Sequence, residues 1–508
     1  VTIDRLGTVL LVGAVVLLVA VVAVRLTTRS GFPSLLLYLG LGLLIGEKGL
    51  GVRFDDAELA GVLGYCALIL ILAEGGLTTR WETIRPGVTA ASVLSTVGVC
   101  VSICVVGVTA RLLLDLDWPS ALLVGAVVSS TDAAAVFSVL RRVPLPGRLV
   151  GLLEAESGFN DAPVVIAVVA LTGLAGGKSS HPWWFLLGEA ALELIVGAAV
   201  GLVIGRVAAR MLARVALPAS GLYPVAVLGL AFAAYGTATS LHGSGFLATY
   251  LCGLVLGNVR LPHGAAVRGF AEGLGWLAQI GLFVLLGLLA DPARLPDQVL
   301  PAIVLGLVLL LLARPLSVLA SVGPFRIPLR EQAFLSWAGL RGAVPIVLAT
   351  IPVAQQLPDS AQLFDLVFVL VVVFTLLQAP TLPLVARRLG IGAEVLTTDL
   401  DVDSSPLGAL DADVIHVRVG QGSRLHGVEI FELRLPDRAN ITLVIRGGGA
   451  FVPQPNTMLR HGDDLIVVAA AAVRDQAERR LHEVSAQGKL AGWRRPHPPP
   501  SRPPSPRA

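Results

Sequence analysis

The chain has 508 residues, of which 55% are hydrophobic and only 14% charged. That much apolar surface excludes a purely soluble protein, and stretches of about 20 apolar residues recur, the length a helix needs to cross a lipid bilayer. The net charge of +3 says little, because topology depends on where basic residues sit; no nucleic-acid partner is expected. Cys66, Cys100, Cys104 and Cys252 all fall in apolar stretches and read as small buried side chains without a disulfide. The first apolar run, about Leu10 to Val24, lacks a small-residue cleavage site and reads as a span rather than a signal peptide.

In chain order the apolar stretches run over 7–26, 32–47, 59–78, 88–113, 119–140, 149–174, 184–213, 221–241, 243–258, 268–290, 298–322, 330–352 and 361–385, about thirteen spans by the length criterion. The odd-numbered loops are basic, with Arg25 and Arg29, then Arg80 and Arg85, then Arg141, Arg142 and Arg148. Arg206, Arg210 and Arg214, then Arg260 and Arg268, then Arg326 and Arg330 continue the series, and Arg387 and Arg388 follow the last span. The even-numbered loops are acidic or neutral, with Glu47, Asp55, Asp56, Glu58, Asp115, Asp117, Asp291, Asp297 and Asp359. The positive-inside rule then places the N-terminus outside and the C-terminus in the cytoplasm, as an odd number of spans also requires.

After this membrane domain, 1–390, the character changes. Residues 391–411 read as a linker. Residues 412–486 read as a small α+β domain with strands at Asp413–Val419, Asn440–Ile445 and Leu465–Ala469. A short helix falls within Gly427–Leu435, and an amphipathic helix runs from Val473 to Val484. The Pro-rich basic tail, 487–508, is expected to be disordered.

The membrane domain carries polar groups where lipid would penalise them. The richest stretch is Glu156-Ser-Gly-Phe-Asn160-Asp161-Ala-Pro163, inside the sixth span. A carboxylate at membrane depth costs on the order of 3 kcal/mol, so it marks a functional site by default. At helical spacing Asp161, Ser157 and Glu154 share one face, while Glu156 points elsewhere and is free to pair with a buried cation. Pro163 weakens the helix beside the acid. Glu74 lies near the end of the third span, Ser129-Ser130-Thr131-Asp132 in the fifth, and Gly339-Leu-Arg341-Gly-Ala-Val-Pro345 in the twelfth. Gly and Pro beside charge in mid-span point to a discontinuous helix, and in transporters with inverted repeats paired broken helices of this kind cross at the midplane and coordinate ions with their ends. On this reading Asp132 offsets exposed helix N-terminal amides, Arg341 exposed C-terminal carbonyls, and Thr131 offers an oxygen to a cation. The plainer alternatives are a structural Glu156–Arg341 ion pair, a helix-terminus role alone for Asp132, and interfacial exposure for Glu74.

The stretches A-E-G-G-L at 73–77, S-S-T-D-A at 129–133, E-S-G-F-N-D-A-P at 156–163 and G-L-R-G-A-V-P at 339–345 resemble the monovalent cation:proton antiporter family, on the branch of the bacterial sodium/proton and potassium/proton antiporters. The resemblance implies an all-α membrane fold of thirteen helices with inverted repeats, two crossed discontinuous helices, and a homodimer in the bilayer. It implies that Asp161 carries the proton or the cation with Asn160 beside it, that Glu74, Thr131 and Ser157 complete the ion site, and that Glu156 pairs with Arg341. The Asn-Asp form implies electroneutral exchange in the cytoplasmic membrane. G-V-E-I-F-E-L-R-L-P at 427–436, I-T-L-V-I-R-G-G-G at 441–449 and H-G-D-D-L-I-V at 461–467 resemble the TrkA-C domain. That resemblance favours potassium over sodium and implies a small anionic regulatory ligand, such as a nucleotide, near Arg424, Arg446 and His461. No cofactor is expected, and the absence of G-x-G-x-x-G argues against NAD.

The expected function is therefore secondary antiport of K⁺, or alternatively Na⁺, against H⁺, not enzymatic catalysis. A ligand-gated potassium channel would need a filter of carbonyl rings such as T-V-G-Y-G, which is lacking. An intramembrane aspartyl protease using Asp132 and Asp161 would need two carboxylates sharing a proton, which Asn160 and Arg341 fit poorly.

Overall fold

The computed structural model describes residues 6–489 apart from 31–32, 53, 55, 133–134, 137–138, 140–144, 178–182, 216, 260, 392–399 and 408–411. The expectations placed on Asp55, Ala133, Arg141, Arg142, Arg260, the side chains of Arg25 and Arg29, and the tail from residue 490 lie outside the described residues. The chain divides into two units, Val1–Ala393 and Glu394–Ala508.

The first unit is helical: α1 (Leu6–Ser30), α2 (Ser34–Ile45), α3 (Ala57–Thr78), α4 (Trp81–Leu114), α5 (Trp118–Val127), α6 (Gly147–Ala175), α7 (Trp183–Arg214), α8 (Leu222–Ser240), α9 (Gly245–Gly257), α10 (Gly264–Leu289), α11 (Leu295–Phe325), α12 (Leu329–Trp337), α13 (Ala343–Ala354) and α14 (Ser360–Arg388). Among the described residues eight helices are long and apolar enough to cross a membrane: α3, α4, α6, α7, α8, α10, α11 and α14. Shorter apolar helices lie at Leu10–Val24, α2, α5, α9 and α13. Every stretch read as a span from the sequence overlaps one of these helices.

Local chemistry sets several boundaries. The Asp56 side chain accepts from the Leu59 amide at 2.8 Å and starts α3; Ser244 accepts from Leu247 at 3.4 Å and starts α9. Pro119 sits in the first turn of α5, where its missing N–H costs nothing. The helix α6 runs through Pro163 without ending. Both α4 and α11 contain a π turn, at Leu94–Gly98 and Leu309–Ala313. Ser317 of α11 donates to the Gly98 carbonyl at 2.8 Å, so the hydroxyl of Ser102, 2.8 Å from Ser317, is the donor in their contact. The sequence long helix with π turn, broken helix, long helix thus occurs twice, as α4–α5–α6 and as α11–α12/α13–α14.

Helix packing divides into two sets. One joins α2, α3, α7, α8, α9 and α10, the other α4, α5, α6, α11, α12, α13 and α14; α3 meets α13, and α6 meets α9, between them. Small residues allow the close crossings. A side-chain carbon at Gly76 of α3 would run into the Tyr250 carbonyl of α9, and one at Gly42 of α2 into the Val284 carbonyl of α10.

The second unit is an antiparallel sheet in the order β1-β2-β5-β3-β4, with β1 (Leu400–Leu407), β2 (Ala412–Val419), β3 (Ala439–Arg446), β4 (Gly449–Phe451) and β5 (Asp464–Ala470), followed by α15 (Arg474–Gln487). Alternate residues Ile415, Val417 and Val419, with Leu465, Val467 and Ala469, point to one face and enclose a core with Ala477, Leu481 and Val484 of α15. One expectation changes here. The segment read as a linker supplies β1, which pairs with β2 from Leu400↔Val419 to Leu407↔Ala412. Its Asp401, Asp403, Ser404 and Pro406 hide it from a reading based on apolar alternation.

Candidate ion-exchange site

The site is built where two helices are interrupted. After α5 ends, residues 128–132 are non-helical; after α12 ends, residues 338–342 are non-helical until α13 begins. The two breaks are hydrogen-bonded to each other, Asp132 N–H donating to the Leu340 carbonyl at 2.9 Å. Unwound backbone is tolerated at membrane depth because each break satisfies the other and faces a cavity.

Opposed helix ends carry partial charges that the sequence answers with full ones. The Arg341 Nε donates to the carbonyl of Val128, the residue that caps α5, at 2.8 Å, and its Nη1 to the Gly339 carbonyl at 2.6 Å. The Asp132 Oδ1 accepts from the Ala135 amide at 3.2 Å. Its Oδ2 lies against Gly342, the residue that caps α13, so closely that a side-chain carbon there would collide with it. A cation therefore sits on a helix C-terminus and an anion at helix N-termini, the arrangement the macrodipole favours.

The expected Glu156–Arg341 ion pair is not the one formed. Glu156 is clamped by Arg314 of α11, with Nη1 2.6 Å from Oε1 and Nη2 3.3 Å from Oε2, and both side chains are buried. Arg314 Nη2 also donates to the Leu335 carbonyl at 3.1 Å. Arg341 donates through Nε and Nη1 to backbone carbonyls instead, and its Nη2 is buried without a hydrogen-bond partner among the described atoms. Arg314 is the residue the sequence reading passed over. Its signal was present, a charge inside the apolar run 298–322, the same signal that singled out Asp161.

Asp161 is different from Glu156. It is 7% exposed, accepts from the Ser130 hydroxyl at 2.7 Å, and lines a cavity of about 310 Å³. The structure places the Ser130 hydroxyl on the central carboxylate. The cavity is also lined by Glu74, Thr78, Thr79, Thr131, Asp132, Glu154, Ser157, Tyr250 and Gln279. Glu74, Asp132, Glu154 and Asp161 are all carboxylates, and no Lys, Arg or His is among the described lining residues. A low-dielectric cleft with one sign of charge concentrates counter-ions of the other.

Of the sequence-derived ion-site residues, Asp161, Ser157, Thr131 and Glu74 meet at this cavity. Asn160 stands behind it: its Nδ2 donates to the Thr131 hydroxyl oxygen at 2.6 Å, and Thr131 donates in turn to Glu156 Oε1 at 3.3 Å. Ser157 donates to the Thr131 carbonyl at 3.3 Å. Asn160 thus orients Thr131 and ties the exchange cavity to the Glu156–Arg314 pair.

In the second unit, Arg446 is spoken for. Its Nε and Nη2 each lie 2.7 Å from a carboxylate oxygen of the fully buried Asp463, and Nη2 also donates to the Met458 carbonyl. This bidentate pair fixes the turn before β5 and engages the Arg446 guanidinium within the unit. His461 stacks on His426 with ring centroids 4.1 Å apart and has its Nδ1 2.8 Å from the Gly420 carbonyl, while Arg424 is exposed.

Comparison with known proteins agrees with the geometry. A family model described as sodium/hydrogen exchanger, transmembrane, matches residues 14–388, and a TrkA-C domain model matches 414–482. The K(+)/H(+) antiporter NhaP of Alkalimonas amylolytica is 36% identical over 472 residues, covering 92% of this chain and 81% of that protein. The K(+)/H(+) antiporter NhaP2 of Shewanella oneidensis is 36% identical over 475 residues, with 92% and 82% covered. The Na(+)/H(+) antiporter ApNhaP of Aphanothece halophytica is 28% identical over 391 residues, with 74% of each covered. Among solved structures, the sodium proton antiporter MjNhaP1 from Methanocaldococcus jannaschii shares the fold, with a TM-score of 0.66 at 23% identity over 76% of this chain and 99% of that one. With a match over residues 14–388, both broken helices included, the chain belongs to the sodium/hydrogen exchanger family.

Proposed function

We propose that this chain exchanges potassium for protons across the cytoplasmic membrane of a bacterium. The observation that carries the reading is Asp161, a buried carboxylate held by one hydroxyl and open to a cavity that offers carboxylates and hydroxyls but no basic side chain among its described lining residues. Such a group binds a proton or a monovalent cation but not both, because protonation removes the charge that holds the cation. Competition at one group couples the two fluxes, and movement of the helix set that carries Asp161 against the other set exposes it alternately to each side. Thr131, Ser157 and Glu74 supply further oxygens to the cation, while Asp132 and Arg341 balance the helix ends. One carboxylate exchanging one proton for one cation makes the exchange electroneutral.

Potassium is favoured because the 36% identical relatives are named K(+)/H(+) antiporters and because a TrkA-C domain follows the membrane unit. Sodium is the second reading, favoured by the 28% identical Na(+)/H(+) antiporter. The chain crosses the bilayer thirteen times with its N-terminus outside and its C-terminus in the cytoplasm, and works as a homodimer. The second unit regulates exchange through a small anionic ligand such as a nucleotide. Proton flux in everted vesicles, with K⁺, Na⁺ and Li⁺ added in turn, tests the proposal: K⁺ should dissipate an imposed pH gradient at the lowest concentration. A response to Na⁺ alone would replace potassium with sodium, and no response to any of the three would overturn cation/proton exchange.

A further inference from the structure

The cavity occupies only one end of the groove between the two helix sets. It reaches Thr78 and Thr79, next to Arg80, and Glu154 in the second turn of α6. Toward the opposite end the sets touch. A side-chain carbon at Gly64 of α3 would meet Val347 Cγ1 of α13 at 2.9 Å, and one at Gly61 would meet Thr350 Oγ1 at 3.2 Å. Val347 and Thr350 are both buried, so this end is sealed.

At that same end stands a chain of four charges. Lys48, after α2, places Nζ 2.7 Å from Asp291 Oδ1; Arg294 Nε is 3.8 Å from Asp291 Oδ2 and 2.9 Å from Asp365 Oδ2. The hydrogen bond from Lys48 holds the Asp291 carboxyl below the usual carboxylate range, so this link of the chain is ionised. The chain starts in the helix set of α2 and α10, crosses the α10–α11 connection and ends on α14 in the other set. Among the described residues of the membrane unit, the buried carboxylates are Glu156, Asp161 and Asp365. The first two belong to the exchange site; Asp365, with its side chain 1% exposed, does not. Its Oδ1 is buried without a hydrogen-bond partner among the described atoms. Core packing does not call for a carboxylate there, since Phe364, Leu366, Val367 and Phe368 fill the surroundings.

We infer that the Lys48–Asp291–Arg294–Asp365 chain is a latch that holds the end of the groove remote from the cavity closed, and that it parts when Asp161 is exposed on that side. The inference rests on the alternating-access reading above. Lys48 and Arg294 are half exposed, so water replaces their partners at little cost when the latch opens. Asp365 has no such freedom while the groove is shut, since breaking its pair leaves a buried charge alone. Opening the groove admits water to Asp365, so its ionisation is compatible with the open state without Arg294 and with the closed state only with it. One half-exposed cation, Arg294, on the buried Asp365, and a second, Lys48, on the partly exposed Asp291, thus give a closed state that is favoured but not locked, which a transporter that must visit both states requires.

The test uses the full-length chain in oriented vesicles, with Cys66, Cys100, Cys104 and Cys252 replaced and Thr350→Cys introduced as a reporter in the sealed end. The measured quantity is its rate of labelling by a membrane-impermeant maleimide applied from the Lys48 side. Asp365→Asn should raise the rate about tenfold and Lys48→Gln about threefold, as the population of the open state rises. If Asp365→Asn fails to fold, Lys48→Gln and Asp291→Asn carry the test alone. Unchanged labelling in folded variants that still exchange cations for protons would overturn the latch while leaving antiport standing. Loss of exchange in the unsubstituted protein would instead strike the proposed function.

Discussion

Glu156 and Asp161 lie five residues apart on one helix, both buried, and the protein treats them in opposite ways. Glu156 has an arginine on both its oxygens and a threonine hydroxyl besides. Asp161 has one serine hydroxyl and a cavity. The difference teaches what a buried carboxylate is for. With a fixed cation it is structure, because its charge is already spent. Without one it must recruit a cation or a proton from solution, and whichever it takes excludes the other.

The sharpest way to break the comparison is to remove the recruiting charge. Asp161→Asn should abolish cation-dependent proton flux, a loss of at least a hundredfold, with little change in detergent thermal stability. An amide neither carries the exchanged proton nor attracts the cation, and it keeps the shape. Appreciable cation-dependent flux in well-folded Asp161→Asn would end the single-site mechanism.

The opposite substitution tests the other half. Arg314→Ala strands Glu156 as an uncompensated buried charge, which costs about 3–5 kcal/mol. The expected result is loss of stable protein rather than a changed apparent cation affinity. Glu156→Gln should restore part of that stability in the double variant. The same cycle run with Arg341→Ala should show weaker coupling to Glu156, because Arg341 serves the Val128 and Gly339 carbonyls. Equal coupling for both arginines, read from thermal melts, would mean that the three charges act as one network.

How far this was legible in the sequence depended on the kind of signal. Charge in an apolar run is local, so Asp161, Glu74, Asp132 and Arg341 announced themselves, and Gly and Pro beside them located both helix breaks. Pairing is not local. Glu156 and Arg314 are 158 residues apart, and nothing in one sequence says which of two buried arginines reaches the acid. The contact of the Ser130 hydroxyl with Asp161 is not local either, since its orientation is decided by where residues 128–132 unwind. In the second unit the apolar alternation of β2, β3 and β5 was readable, whereas β1 carries acids and a proline, and β4 is only three residues long.

A smaller effect sharpens how the two carboxylates are joined. Thr131 accepts from Asn160 and donates to Glu156 while lining the cavity of Asp161. Thr131→Val removes one cation oxygen and leaves the buried Asn160 amide unpaired, a loss of about 1–3 kcal/mol shared between stability and affinity. The apparent KM for the cation should rise about tenfold, an energy within that range, and Thr131→Ser should restore it. A Thr131→Val protein with unchanged KM and lowered melting temperature would place Thr131 in the structural half alone.

The smallest effect on exchange itself should come from removing the second unit, and the place of the cut matters. The chain past α14 does not leave the membrane unit at once: the Ile391 amide donates to the Ala386 carbonyl at 2.9 Å, and its side chain is buried in the helical core. A cut after Arg388 would take that anchor away and confuse loss of packing with loss of regulation. A cut after Ile391 preserves it. All the residues of the exchange site lie upstream, and each acts through contacts made within the first unit, so the shortened chain should exchange K⁺ for H⁺ at a maximal rate within about twofold of the full chain, an energy well under the cost of losing any buried contact. A regulatory unit acts by differential affinity for the states of the transporter, so its removal should shift the dependence of rate on pH or on ligand without touching the chemistry. Vesicle flux measured across a pH series for both chains decides it. A shortened chain that inserts and melts normally but exchanges nothing at any pH would make the second unit part of the transport machine.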